Sequence, residues 1–170
     1  EYFNNAEVAF MMSGSWQIGR FTSEIGDAFD WWAVPAPCGP AACTGMPGGN
    51  ALVAFNANEA IGRVMDYLAS KESLGDFLGK VLAVPGHLDL QPNYQTDNVL
   101  AKHALSTFAG AVPTISPVAF DLQAHTDNRI MFNAIISRLG QAIVGEMSME
   151  EAWTRMDDDV TKQIAEKKGG

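Results

Sequence analysis

Residues 29–55 read FDWWAVPAPCGPAACTGMPGGNALVAF. Two short apolar runs, 31–34 and 51–55, have the length and composition of buried strands. Residues 35–50 between them are almost wholly Pro, Gly, Ala and small polar residues. A loop of that length inside a compact domain is usually functional or disordered. Two cysteines and the Gly48-Gly49 pair point here to order. The reading of the whole chain follows from this unit: strand, long loop, strand.

Upstream, EVAFMM at residues 7–12 has the pattern of another short buried strand. The turn Ser13-Gly14-Ser15 follows, and a helix is expected over residues 16–25 with Ser15 as its N-cap. Gly26 and Asp27 stop it. Trp31 and Trp32 are adjacent, so in a strand they point to opposite faces. Downstream, helices dominate. Asn58 caps an expected helix over 59–69, in which Ile61, Val64, Met65 and Leu68 recur at helical spacing. A second is expected over 72–82, where Gly75 and Gly79 each cost about 1 kcal/mol relative to Ala unless they serve close packing. Residues 84–94 are irregular, a third helix covers 96–108, and 112–117 is a Pro-rich connection. An amphipathic helix is expected over 127–144. Ser148 and Glu151 form a capping box for a last helix with Ala152, Trp153, Met156, Val160 and Ile164 on its apolar face. The fold class expected is α/β, helix-rich, with the strands early.

The totals narrow the function. The chain has 170 residues, 47% of them hydrophobic, and a net charge of −9. Its mean hydropathy is −0.01. This is the composition of a folded protein. An acidic chain lacks the basic footprint of a nucleic-acid binder, and no run reaches the roughly 20 apolar residues of a membrane helix. Cys38 and Cys43 are the only cysteines. Two cysteines alone do not supply the four ligands of a structural zinc site. A local disulfide in an oxidising compartment and two free thiols both remain open.

Catalytic patterns are weak. Neither a Gly-x-Ser-x-Gly elbow nor a Gly-rich phosphate loop followed by Lys is present. A Cys/His pair assembled from Cys38 or Cys43 with His87, His103 or His125 has no support in spacing. His87 with Asp89 is one thin metal pair. A small glycosidase-like hydrolase needs two carboxylates across a cleft, and Asp89, Asp97 and Asp121 are scattered candidates; this is the alternative function. Trp16 is more informative. It follows Gly14-Ser15 directly after an expected strand, where α/β folds place ligands, although core packing is the commoner fate of a tryptophan.

The run from Val8 to Trp16, VAFMMSGSW, resembles the corresponding segment of carbohydrate-type extracellular solute-binding proteins of ABC importers, the maltose-binding-protein-like family. Other stretches are similar in the same order: the Pro-rich segment 34–40 with Gly48-Gly49-Asn50 after it, Tyr67-Leu68-Ala69-Ser70, Val84-Pro85-Gly86-His87, and IVGEMSMEEA at 143–152. The similarity covers nearly the whole chain but only the C-terminal half of that family. It implies a periplasmic-binding-protein type II fold, with residues 1–170 as the C-terminal part of two α/β lobes and most of one lobe missing. A leader would already have been removed. The implied function is the substrate-binding component of a carbohydrate ABC transporter. It would capture a mono- or oligosaccharide in an interlobe cleft and deliver it to permease subunits, without catalysis or cofactor. The implied location is periplasmic or extracellular, free or membrane-anchored in the full-length protein. Residue by residue, Trp16 matches a tryptophan that stacks on the sugar, and Gly48 and Gly49 match glycines that admit the ligand to the backbone. Asn50 would offer a donor and an acceptor to hydroxyls, and His87 sits in a loop near the cleft. Ala111, Val112 and Thr114 around Pro113 lack the arginine that relatives often carry there, so the particular sugar is left open.

Overall fold

A computed structural model describes residues 1–40, 43, 45–87 and 89–169. The parts of the loop reading that fall on Ala41, Ala42 and Thr44, and of the irregular segment at Leu88, lie outside the described residues. The chain divides into two compact units, residues 1–116 and 117–170.

Among the described residues there is no strand: every regular element is a helix. This corrects the α/β expectation, and with it the periplasmic-binding-protein type II fold. The segments 7–12, 29–34 and 51–55 carry no ladder. The physical reason lies in what a strand requires. Apolar and β-branched residues favour extended backbone, but a strand exists only when a neighbour takes its N–H and C=O groups. Among the described residues these runs find no such neighbour, and 7–12 and 51–55 stay exposed. Phe10 is 90% and Phe55 99% accessible. Alternation survives locally without the sheet: Trp31 is buried, while its neighbour Trp32 is 57% exposed.

In the first unit, a 3-10 turn at Ser15–Gln17 leads into α1 (Ile18–Glu24). Ser15 lies inside that turn, and no side chain caps it. The helices α2 (Glu59–Ala69), α3 (Lys71–Val81) and α4 (Val99–Ala111) follow. Their starts are set by polar caps. Asn58, Ser70 and Asn98 side chains accept from the N–H groups of Ile61, Ser73 and Ala101. Such caps satisfy donors that a helix start leaves orphaned.

The core forms where α1 packs on α4. Ala101, Ala104 and Leu105 lie at i, i+3 and i+4, one stripe of α4, and all three are buried with Ile18, Ile25, Trp31 and Leu82. The two alanines allow a close approach. Phe3, Phe21 and Trp31 pack ring on ring at its edge, with Phe21 and Trp31 centroids 5.4 Å apart. The Thr107 hydroxyl donates to the Ala33 carbonyl at 3.4 Å, which fastens extended residue 33 to α4. At the end of α3, Leu82 adopts a left-handed conformation (φ 54°). That is costly for a residue with a Cβ, and burial of its side chain in the core offsets the cost.

The second unit holds α5 (Pro117–Ala124), α6 (Asn128–Ile143) and α7 (Met149–Gly169). The helix α5 begins on Pro117, the last residue of the expected Pro-rich connection, whose fixed φ suits a first helical position. The turn between α6 and α7 uses Gly145 at φ 82°. The Ser148 hydroxyl accepts from Glu151 N–H at 3.1 Å, one half of the expected capping box, while the Glu151 carboxylate accepts from Arg155. Ala134, Ala152 and Met156 are buried, whereas Trp153 is 60% exposed. The expected packing role of Trp153 is therefore corrected: small Ala152 makes the close helix contact. Two ion pairs at 2.7 Å, Arg138–Asp159 and Lys167–Asp127, join parts far apart in sequence.

Candidate functional site

Trp16 stands in the first 3-10 turn and is 71% exposed. Gly14 explains how it is held. A Cβ at Gly14 would fall 2.0–2.5 Å from three atoms of the Trp16 six-membered ring. The indole thus rests on bare backbone, in space that any other residue at 14 would fill. The turn is closed by Gln17 N–H donating to the Gly14 carbonyl at 3.1 Å. A large aromatic ring is supported from beneath and open above.

Gly48, Gly49 and Asn50 lie in exposed chain without regular structure. Neither glycine has a positive φ, and a Cβ at either would meet nothing within 4 Å. The chain here does not need glycine for its own geometry. Upstream in the same loop, Cys38 and Cys43 are joined by a disulfide.

His87 belongs to a different place. It lines a cavity of about 600 Å³ between residues 84–87 and 90–94 on one side and α4 on the other. The walls are largely apolar: Val84, Pro85, Leu90, Pro92, Leu105 and Val112 among them. Four polar side chains reach it besides Tyr94, namely His87, Gln91, Lys102 and Ser106. Lys102 and Ser106 are four apart, so they share one face of α4.

The wall that runs from Val84 to His87 and from Leu90 to Tyr94 is tied at both ends. The Tyr94 hydroxyl donates to the Ala83 carbonyl at 3.2 Å, and Gln95 N–H donates to the Gly79 carbonyl at 3.0 Å. Burial pushes the Tyr94 phenol up from its ordinary pKa, so it stays a protonated donor. Asp89 N–H donates to His87 Nδ1 at 3.2 Å. With Nδ1 accepting, the ring proton on Nε2 makes that nitrogen a donor. Lys102 is 3.6 Å from the carboxylate of Asp97, itself fully in solvent.

Of the five residues marked in the sequence, His87 alone lines this cavity. Trp16, Gly48, Gly49 and Asn50 are absent from the lining of the cavity that His87 joins. Lys102, Ser106, Gln91 and Tyr94 escaped the sequence reading. The signal for two of them was present in the i, i+4 spacing of Lys102 and Ser106 beside the buried Ala101, Ala104 and Leu105 stripe. The scattered carboxylates are equally dispersed: Asp89 and Asp97 are exposed, neither lines the cavity, and Asp121 lies on α5 in the other unit. Among the described residues, no group of three or more His, Cys, Asp or Glu is placed to hold a metal ion.

No family model, curated protein or solved structure matches this chain.

No helix among the described residues is long and apolar enough to cross a membrane.

Proposed function

We propose that this chain captures a carbohydrate by stacking it on Trp16, as the substrate-binding component that feeds an ABC importer outside the cytoplasm. The observation that carries the reading is the exposed indole held on the backbone of Gly14. A pyranose has one face of C–H groups, and a flat ring with a fixed underside covers that face without first losing side-chain freedom. Burying about 80 Å² of apolar surface in such a stack contributes about 2 kcal/mol at 25 cal/mol per Å². Hydroxyl hydrogen bonds would add about 1 kcal/mol each.

Two further points support the reading. The segment that carries Trp16 is the one whose sequence resembles sugar-binding proteins of importers. The Cys38–Cys43 disulfide fits an oxidising compartment, where such bonds persist.

The test is calorimetric titration with a panel of mono- and oligosaccharides, followed by Trp16→Ala. Saturable heat with at least one sugar, weakened about 30-fold by the substitution, is expected from a 2 kcal/mol stack. Binding that survives Trp16→Ala unchanged would overturn the assignment.

A further inference from the structure

The cavity beside α4 carries a second reading, independent of Trp16. Its polar groups can all donate hydrogen bonds. Lys102 Nζ offers only donors, His87 Nε2–H is a donor because its Nδ1 already accepts from Asp89 N–H, and the Ser106 hydroxyl and the Gln91 amide can each donate. No carboxylate is among the lining residues. The remaining wall is aliphatic and prolyl, with Leu90 and Leu105 both buried at its base. Donors gathered on an apolar wall, with one lysine ammonium among them, match a ligand that has acceptors at one end and hydrocarbon at the other. We propose that this cavity binds a small organic carboxylate with an apolar body, its carboxylate on Lys102 and His87 and its hydrocarbon against Leu90, Leu105 and Val112.

The electrostatics make the proposal specific. Among the described residues, Asp97 is the carboxylate that pairs with Lys102, at 3.6 Å and from full solvent exposure. A surface pair of this kind holds weakly, so a ligand carboxylate competes with Asp97 for the ammonium. Asp89 is exposed in the same loop and outside the lining. The net charge of −9 repels anions at long range, and 0.15 M salt screens that repulsion beyond about 8 Å. Neutralising Asp97 should therefore strengthen binding, whereas neutralising Lys102 should weaken it.

The experiment titrates the full chain, in 0.15 M NaCl at pH 7, with hexanoate and 3-phenylpropionate, using hexanamide as the uncharged control. Amide chemical shifts are followed by two-dimensional NMR. Saturable shifts confined to residues 84–94 and 102–113 are expected with both carboxylates, with at least tenfold weaker response to hexanamide. Lys102→Met should weaken hexanoate at least tenfold, and Asp97→Asn should tighten it two- to fivefold. Both side chains are largely solvent-exposed, and an unchanged spectrum elsewhere confirms that each variant is folded. Trp16→Ala should leave hexanoate binding intact, which separates this site from the sugar reading. Equal response to hexanoate and hexanamide, no effect of Lys102→Met, or shifts centred outside the cavity would overturn the proposal.

Discussion

Gly79→Ala should destabilise the chain although it replaces glycine inside a helix. Gly79 lies in α3 and is buried. Residues 93–95 cross directly over it: an added Cβ would sit 2.3 Å from the Asn93 carbonyl oxygen and 3.1 Å from its carbon. Ordinary contact between such atoms needs about 3.5 Å, so the crossing chain must retreat by about 1 Å. The atom that blocks is backbone, which has no rotamer to change. Alanine would gain about 1 kcal/mol of helix propensity. Against this stand about 1–3 kcal/mol of overpacking and the strained hydrogen bond from Gln95 N–H to the Gly79 carbonyl, worth about 1 kcal/mol. The net expectation is a loss of about 1–3 kcal/mol, or about 3–10 °C in Tm at this chain length. Gly62→Ala in α2 is the internal control, since nothing lies within 4 Å of its added Cβ; it should stabilise by up to about 1 kcal/mol. Thermal and urea melts followed by circular dichroism measure both. If Gly79→Ala stabilises as Gly62→Ala does, the packing of residues 93–95 on α3 is refuted.

Reduction of the Cys38–Cys43 disulfide, with its sequence separation of 5, should lower stability by about 2 kcal/mol on a chain-entropy basis; circular dichroism should show the helices unchanged, and a loss of helical signal would contradict this. The exposed apolar segments with Phe10, Met12 and Phe55 should make the chain self-associate, as exposed apolar patches and unpaired extended edges do. Light scattering should show mass rising with concentration, and Phe10→Ser with Phe55→Ser should suppress it; a concentration-independent monomer would refute the expectation. Acid should weaken the α6–α7 pair. A hydrogen bond from Arg138 holds the Asp159 carboxyl below its ordinary value of 3.8, and one from Lys167 does the same for Asp127. Groups depressed on folding give stability that is complete above pH 3.8 and is lost as pH falls through the lower folded values. An Asp127→Asn/Asp159→Asn variant should melt earlier than the parent at pH 6 and nearly with it at pH 2; a gap unchanged between the two would exclude this linkage.

Periodicity revealed the helices because their apolar stripes and caps are local. Asn58 and Ser148 act as read from sequence, and the helix placed at 127–144 forms as Asn128–Ile143. The α/β reading failed because strand pairing is not local. Residues 31–34 and 51–55 have strand composition, but their composition does not state whether a neighbour will take their hydrogen bonds. The family resemblance carried the same error, since it lent these segments a sheet that the chain does not form. Trp153 shows another limit: helical spacing gives a stripe, while the width of the partner decides which part of it is covered. Trp16 could be marked from GSW, and Gly14 beneath it was part of that same signal. The cavity at His87 was hidden because it joins residues 84–87 and 90–94 to α4, a contact set by Gly79, Tyr94 and their backbone partners rather than by any motif.

The most direct test of sugar capture is saturation-transfer NMR on the chain mixed with the best-bound saccharide from the panel. Irradiation of the aromatic protons should saturate the sugar C–H protons of one ring face more strongly than those of the other, and Trp16→Ala should abolish the difference. Uniform weak transfer that persists in Trp16→Ala would contradict stacking on Trp16, and with it the account of this chain as a carbohydrate-capturing protein.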